Sequence, residues 1–216
     1  MTVPKSTKAR PVRAKDRAAT ESRILAAARR LIGRDGFAGF GLNALAAEAG
    51  CDKVLIRRYF GDLDGVLTAL GGDVGFWIGD PDVVAPEGGY GARMAGLFEA
   101  YADALAADPV LQRVLSWELV EASVPLRRLD EARGRAMGTW MQAAKGDAVA
   151  PPGLDAPAIN AVLLAALHYL TLRTRTLEGF AGLDLATPEG QARIRAAFRW
   201  LFARAYAEPT GGEPDA

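Results

Sequence analysis

Cysteine and histidine occur once each in the 216 residues, and serine only as Ser6, Ser22, Ser116 and Ser123. A single Cys51 excludes an internal disulfide framework and suits a reducing compartment. One histidine, His168, and four scattered serines leave little for a nucleophile–base pair. There is no Glu-x-x-His pair for a metal inside a helical bundle and no glycine-rich phosphate loop after a strand. No metal and no cofactor is therefore expected, and an enzyme is the weaker functional class. Long apolar runs are lacking too. The longest, Ala158 to Leu172, is interrupted by Asn160 and His168 and falls short of the roughly twenty residues of a bilayer span. It reads as a buried bundle helix. The N-terminus is basic and polar, unlike a signal peptide. A cytoplasmic protein with no membrane partner is expected.

The absence of net charge conceals a polarity. Residues 1–60 hold 13 Lys and Arg against 5 Asp and Glu, whereas residues 61–216 hold 13 against 21. A basic first quarter on an acidic remainder points to an anionic partner at one end. The excess includes Arg29, Arg30, Arg34, Lys53, Arg57 and Arg58, which lie in patterned sequence rather than in a loose tail, and this favours nucleic acid.

Apolar positions recur at helical spacing along most of the chain, and no alternating strand pattern is present. The expected fold is all-α, with about nine helices. Residues 1–18 read as a disordered basic arm, 19–65 as a helix-turn-helix domain, 66–208 as a larger ligand-binding and dimerisation bundle, and 209–216 as a disordered tail. Thr20 is placed as the cap of the first helix. Leu63, Val66, Leu67, Leu70, Val74 and Trp77 read as one face of a single fourth helix. Thr187-Pro188-Glu189 is a well-formed start for the last one.

The segment from Leu42 to Phe60 is the most informative. Leu42, Leu45, Ala46 and Ala49 give one short helix a buried side, Gly50 supplies a left-handed turn, and Asp52 caps a second helix. In that second helix Ile56 and Phe60 point inward. Lys53, Val54, Leu55, Arg57 and Arg58 are left outward or sideways. This is the layout in which a second helix enters the major groove. Lys53, Arg57 and Arg58 suit phosphates or guanine, and Leu55 suits a thymine methyl; Asn43 suits a phosphate or base edge or is a neutral surface residue, and Tyr59 suits a phosphate or is partly buried. A solvated charged face is the competing reading. A groove reader commonly spans two half-sites as a dimer. The last two long helices have apolar excess beyond one stripe, which assigns Leu163, Leu167, Leu170, Phe198, Leu201 and Phe202 to a homodimer interface; burial within one chain is the alternative.

The runs Ile24-Leu-Ala-Ala-Ala-Arg-Arg-Leu-Ile32, Asp35-Gly-Phe37, Leu45-Ala-Ala-Glu-Ala-Gly50 and Lys53-Val-Leu-Ile-Arg-Arg-Tyr-Phe60, with Leu67 beyond them, resemble the TetR family of transcriptional regulators. The likeness fades beyond about residue 78. Three positions depart from the family pattern. Gly41 stands where Ser or Thr usually caps the second helix, Arg57 where tyrosine is common, and Leu63 where a lysine is common. The resemblance implies a homodimeric repressor on a palindromic operator in double-stranded DNA. It also implies a small-molecule effector in the C-terminal domain, whose binding moves the fourth helix and releases the operator.

For that effector, Trp117, Met137, Trp140, Met141 and Tyr169 could form an apolar wall, with His168 as the polar group that orients the ligand. Ordinary core packing is the first reading of each of them, and pocket lining the second. Two further readings stay open: a dimeric DNA-binding protein without an effector, and a small all-α enzyme.

Overall fold

The first helix, α1 (Pro11–Asp35), buries Ile24, Ala27, Ala28, Leu31 and Ile32 as one continuous stripe. In this computed structural model, which describes residues 11–80, 82 and 87–207, the helix begins nine residues before the expected cap at Thr20. Residues 11–18, expected in a disordered arm, are helical. The cause is local: Arg17 pairs with Glu21 one turn on at 2.7 Å, and the Thr20 hydroxyl donates to the Asp16 carbonyl at 2.8 Å instead of capping. Such i,i+4 links extend a helix that alanine already favours. The rest of the expected arm and the expected tail lie outside the described residues.

Helix α2 (Leu42–Ala49) starts at Gly41, which offers no side-chain cap, and ends at Gly50 with φ 60 and ψ 41. A β-carbon would disfavour that left-handed corner. The next helix, α3 (Lys53–Phe60), follows at once, with the Asp52 carboxylate accepting from the Val54 N–H at 2.7 Å. Ile56 is fully buried and fixes which side of α3 faces in.

The expected fourth helix is two. A break at Gly72 separates α4 (Leu63–Gly71) from α5 (Val74–Ile78), and the Asp73 side chain caps α5 by accepting from Phe76 N–H at 3.3 Å. Consecutive glycines followed by a capping aspartate interrupt an apolar pattern that alone reads as continuous. The described residues thus hold ten helices rather than nine.

The larger part comprises α6 (Tyr90–Ala107), α7 (Pro109–Val120), α8 (Val124–Lys145), α9 (Ala156–Arg173) and α10 (Pro188–Ala205). Asp108, Ser123, Asp155 and Thr187 cap the last four through side-chain oxygens. A two-residue antiparallel ladder, β1 (Gly179–Phe180) with β2 (Leu183–Asp184), precedes α10. It turns through Ala181 and Gly182 at positive φ and is too short to leave an alternating signal. Helix α6 runs through the centre of the bundle, contacting α5, α7, α8, α9 and α10, while α4 lies along α8 and joins the bundle to α1 and α3.

Candidate functional site

The exposed side of α3 is set by the burial of Ile56. Lys53, Arg57 and Arg58 are exposed, and Val54 is 67 % exposed between them. Asn43 on α2 is exposed as well. Leu55, expected outward, is half-buried, and so is Tyr59, whose ring lies 5.4 Å from the Arg17 guanidinium. Cys51 sits half-buried in the turn.

The basic residues of the first quarter divide into two sets. Arg29 pairs with Asp108 and lies over the Phe76 ring at 4.7 Å; burial lowers its pKa. Arg30 and Arg34 both reach Glu48 at 2.9 Å, and hydrogen bonds from them hold that carboxyl below its usual range. These three tie α1 to its neighbours, so they are not the free cations that the sequence suggests. Lys53, Arg57 and Arg58 make no ion pair among the described residues.

A second site lies inside the bundle, where α5, α6, α7, α8, α9 and α10 enclose a cavity of about 410 Å³. The structure brings Met137, Trp140, Met141 and His168 to its wall, as expected. Trp117 and Tyr169 are elsewhere. Each neighbours in sequence a residue that does line the cavity, and one step along a helix turns a side chain by about 100°. The Trp117 ring instead covers Gly36 at the end of α1. Tyr169 is exposed, packed edge-on to Phe180 at 5.2 Å. Sequence reasoning missed Trp77, Met94, Tyr101, Glu118, Arg133 and Asn160, all of which line the wall. Only methionine usage hinted at it, since every methionine after Met1 is there.

Several polar groups of the wall are hydrogen-bonded to one another. His168 Nε2 and the Tyr101 hydroxyl share a 2.6 Å hydrogen bond. Burial, reinforced by the charge of Arg133, holds His168 down at about 4, so its ring is neutral near pH 7. Arg133 donates to both oxygens of Glu118 at 2.7 and 2.9 Å and pairs with Asp130. Burial raises Glu118 more than Arg133 lowers it. Burial alone would lower Arg133, but Glu118 and Asp130 together raise it. Asn160 donates to the Tyr90 hydroxyl at 3.1 Å and accepts from that of Tyr206 at 2.8 Å.

Two routes lead from this wall to α1–α4. Trp77, 4.6 Å beneath the Arg133 guanidinium, donates its indole N–H to the Gly71 carbonyl at the end of α4 at 2.9 Å. A β-carbon at Gly71 would meet the Leu129 carbonyl at 2.5 Å and Ala132 at 2.7 Å, so α4 presses on α8 beside Arg133. On α7, Trp117 and the cap residue Glu121 flank Glu118. Glu121 accepts from the Phe37 N–H at 3.2 Å.

The residues expected at a dimer interface are mostly interior. Leu163, Leu167, Phe198 and Phe202 are buried within the chain, and Leu170 is half-buried. Phe198 and Phe202 pack on Phe98 of α6, with ring centroids 4.7 and 5.0 Å apart. Leu201 alone of the set is exposed. The exposed apolar flank runs instead through Val162, Leu164 and Tyr169 of α9 and Trp200 of α10, with Val162 at 69 % and Trp200 at 62 %. Helix α9 was expected to be buried. It is long and apolar enough to cross a membrane by length and composition, yet only 17 % of its residues are buried.

Residues 24–70 match the family model described as bacterial regulatory proteins, tetR family. No curated protein matches the chain. Among solved structures, a TetR family transcription regulator from Marinobacter aquaeolei VT8 is similar over 92% of this chain and 100% of its own, at TM-score 0.61 and 17% identity. A tetR family transcription regulator from Shewanella sp. PV-4 is similar over 86% and 97%, at TM-score 0.59 and 19% identity. The transcriptional regulator FadR from Bacillus subtilis, solved in complex with stearoyl-CoA, is similar over 87% and 98%, at TM-score 0.59 and 16% identity. At such identities the likeness is one of fold.

Proposed function

We propose that this chain, which belongs to the TetR family of transcriptional regulators, is a homodimeric repressor released from its operator by a small molecule held in the bundle cavity. The exposed α3 carries this reading. A buried Ile56 holds the helix while Lys53, Arg57 and Arg58 stand without ion-pair partners among the described residues, around an exposed Val54. A surface evolved only for solubility has little reason to expose a valine among unpaired cations. A groove supplies phosphates for the charges and thymine methyls for the valine. Asn43 and Tyr59 flank that contact, and Leu55 serves it less than expected because it is half covered.

The homodimer forms across the exposed flank of α9 and α10, through Val162, Leu164, Tyr169, Trp200 and Leu201. Covering these side chains removes the apolar surface that a lone protomer leaves in water. Sedimentation of the full chain tests this; Val162→Glu with Trp200→Glu should give a monomer, whereas association with lipid vesicles instead of self-association would overturn it.

An effector in the cavity touches Trp77 and Arg133, and through them Gly71 and α4. Helix α4 follows α3 across Gly61, so a shift at its end changes how α3 is presented. The relative FadR, which binds stearoyl-CoA, supports the capacity of this fold to hold ligands.

Selection from random duplex DNA at two salt concentrations tests the whole reading. The expected result is an enriched palindrome whose binding falls steeply with salt. Binding without enrichment would leave only a basic surface, and no binding would remove the regulator reading.

A further inference from the structure

The cavity differs from an ordinary charged binding site in that its ionic groups are already engaged. Glu118 is held by both of the Arg133 bonds, and Arg133 is closed off further by Asp130 and by the Trp77 face. An incoming cation would have to draw Glu118 away from Arg133, and an incoming anion the reverse. Either leaves one buried charge without its partner, the costly outcome for an ion pair out of water. Asn160 is likewise held, by Tyr90 and Tyr206.

The Tyr101–His168 pair is different. A neutral imidazole and a phenol bring two polar hydrogens to one shared bond, so one donor remains whichever way the first is shared. Both groups are at the wall, and His168 stays neutral at working pH. The rest of the surface is largely aromatic and aliphatic, including Met94, Met137 and Met141. Thioether chains are flexible and polarisable, and such walls repack around different shapes. At about 410 Å³ the space falls in the range of pockets for drug-sized molecules.

We propose that the cavity selects uncharged, lipophilic aromatic molecules, accepts a range of shapes, and orients them by a single hydrogen bond from the Tyr101–His168 pair. The proposal rests on the reading of this cavity as the effector site, and it excludes both cations and anions as its preferred ligands. Discrimination is by charge, because every charge at the wall has its partner. Shape matters less, because the methionines yield.

Three probes on one ring system test it: acridine, 10-methylacridinium and acridine-9-carboxylate, which at pH 7.5 carry no charge, one positive charge and one negative charge. Binding to the full chain is followed by probe fluorescence. Acridine should bind at least ten-fold tighter than either ion. A cation or an anion that binds as tightly as acridine overturns the charge selection while leaving the cavity as the site. Location is tested separately with Met141→Trp, which fills the space from the wall, and with Met137→Trp should the first fail to fold. Acridine affinity should fall at least ten-fold in the folded variant. Affinity unchanged in both variants would place the probe elsewhere and overturn the cavity reading with the proposal. So would no binding by any of the three, although the DNA selection would stand unaffected.

Discussion

The outer face of α3 and the interior of the bundle cavity both carry charged side chains and dispose of them in opposite ways. On α3, Lys53, Arg57 and Arg58 have no ion pairs among the described residues and stand in water. At the cavity wall, Arg133 and Glu118 hold each other, and the exposed Asp130 takes up Arg133 from outside. A cation kept in water costs nothing to leave unpaired and draws a polyanion across a Debye length. A cation in a low-dielectric wall must have its partner built in. The first arrangement suits a partner that brings the opposite charge, and the second a partner that brings none. The same reasoning separates Arg30 and Arg34, bound to Glu48, from Arg57 and Arg58 within one short domain.

The most severe way to break the comparison is to remove the anchor that defines the α3 face. Ile56 is fully buried, and Ile56→Ala should destabilise the DNA-binding domain by about 2–5 kcal/mol. Chemical denaturation should show this loss, with operator binding falling alongside it. An unchanged midpoint would mean that α3 is held by something other than Ile56.

The next test leaves the fold alone. Arg57→Ala combined with Arg58→Ala should weaken operator binding by about 10²-fold and flatten the salt dependence, each lost phosphate contact reducing the log–log slope by about 0.9. Arg30→Ala should instead leave the slope unchanged, because its charge is already engaged with Glu48. A slope that responds to Arg30 and not to Arg57 and Arg58 would reverse the assignment of the two sets.

For the cavity, pH is the sharper probe. His168 titrates at about 4 in the folded chain against an ordinary 6.5. Between these values the unfolded chain takes up a proton that the folded chain refuses, so stability falls as pH drops through that window. From pH 7 to pH 5 the loss from this group is about 2 kcal/mol. Glu118, raised by burial, acts with the opposite sign, so the histidine is isolated by difference. His168→Gln keeps a hydrogen-bonding partner for Tyr101 without the titration. The two proteins should share one profile above pH 6.5 and diverge below it. Parallel profiles down to pH 4 would show that His168 is not sheltered from water.

Much of this contrast was legible in the sequence on the α3 side and little of it on the other. Gly50, the Asp52 cap and the pair Ile56 and Phe60 are local signals within one short window, so the outward residues follow by geometry. Met137, Trp140 and Met141 also follow, as one stripe on one helix. Glu118 and Arg133 do not, because they sit on different helices and only packing brings them together. Trp117 and Tyr169 each sit one position along a helix from a residue that lines the cavity, and periodicity does not tell which neighbour a stripe meets. The buried leucines and phenylalanines of α9 and α10 suggest an interface in sequence because an apolar excess does not say which side is taken by α6. The helical turn at residues 11–18 was hidden by a basic composition that also describes a disordered arm.

The smallest effect tests the connection between the two regions. Trp77 belongs to both, lining the cavity under Arg133 while its indole N–H holds the last carbonyl of α4. Trp77→Phe keeps an aromatic ring beneath the guanidinium but removes that donor together with part of the buried ring, so it should cost about 1–3 kcal/mol of stability. Its main consequence lies in the linkage. Affinity for operator and for the preferred probe should each stay within a few-fold of the original. The factor by which the probe weakens operator binding should fall about five-fold, a coupling free energy of about 1 kcal/mol. Because coupling is reciprocal, the factor by which operator weakens probe binding must shrink equally, so titrations from either side give the same number. A coupling factor that survives Trp77→Phe intact would leave the α7 route, through Glu118, Glu121 and the Phe37 N–H, as the one that carries the signal.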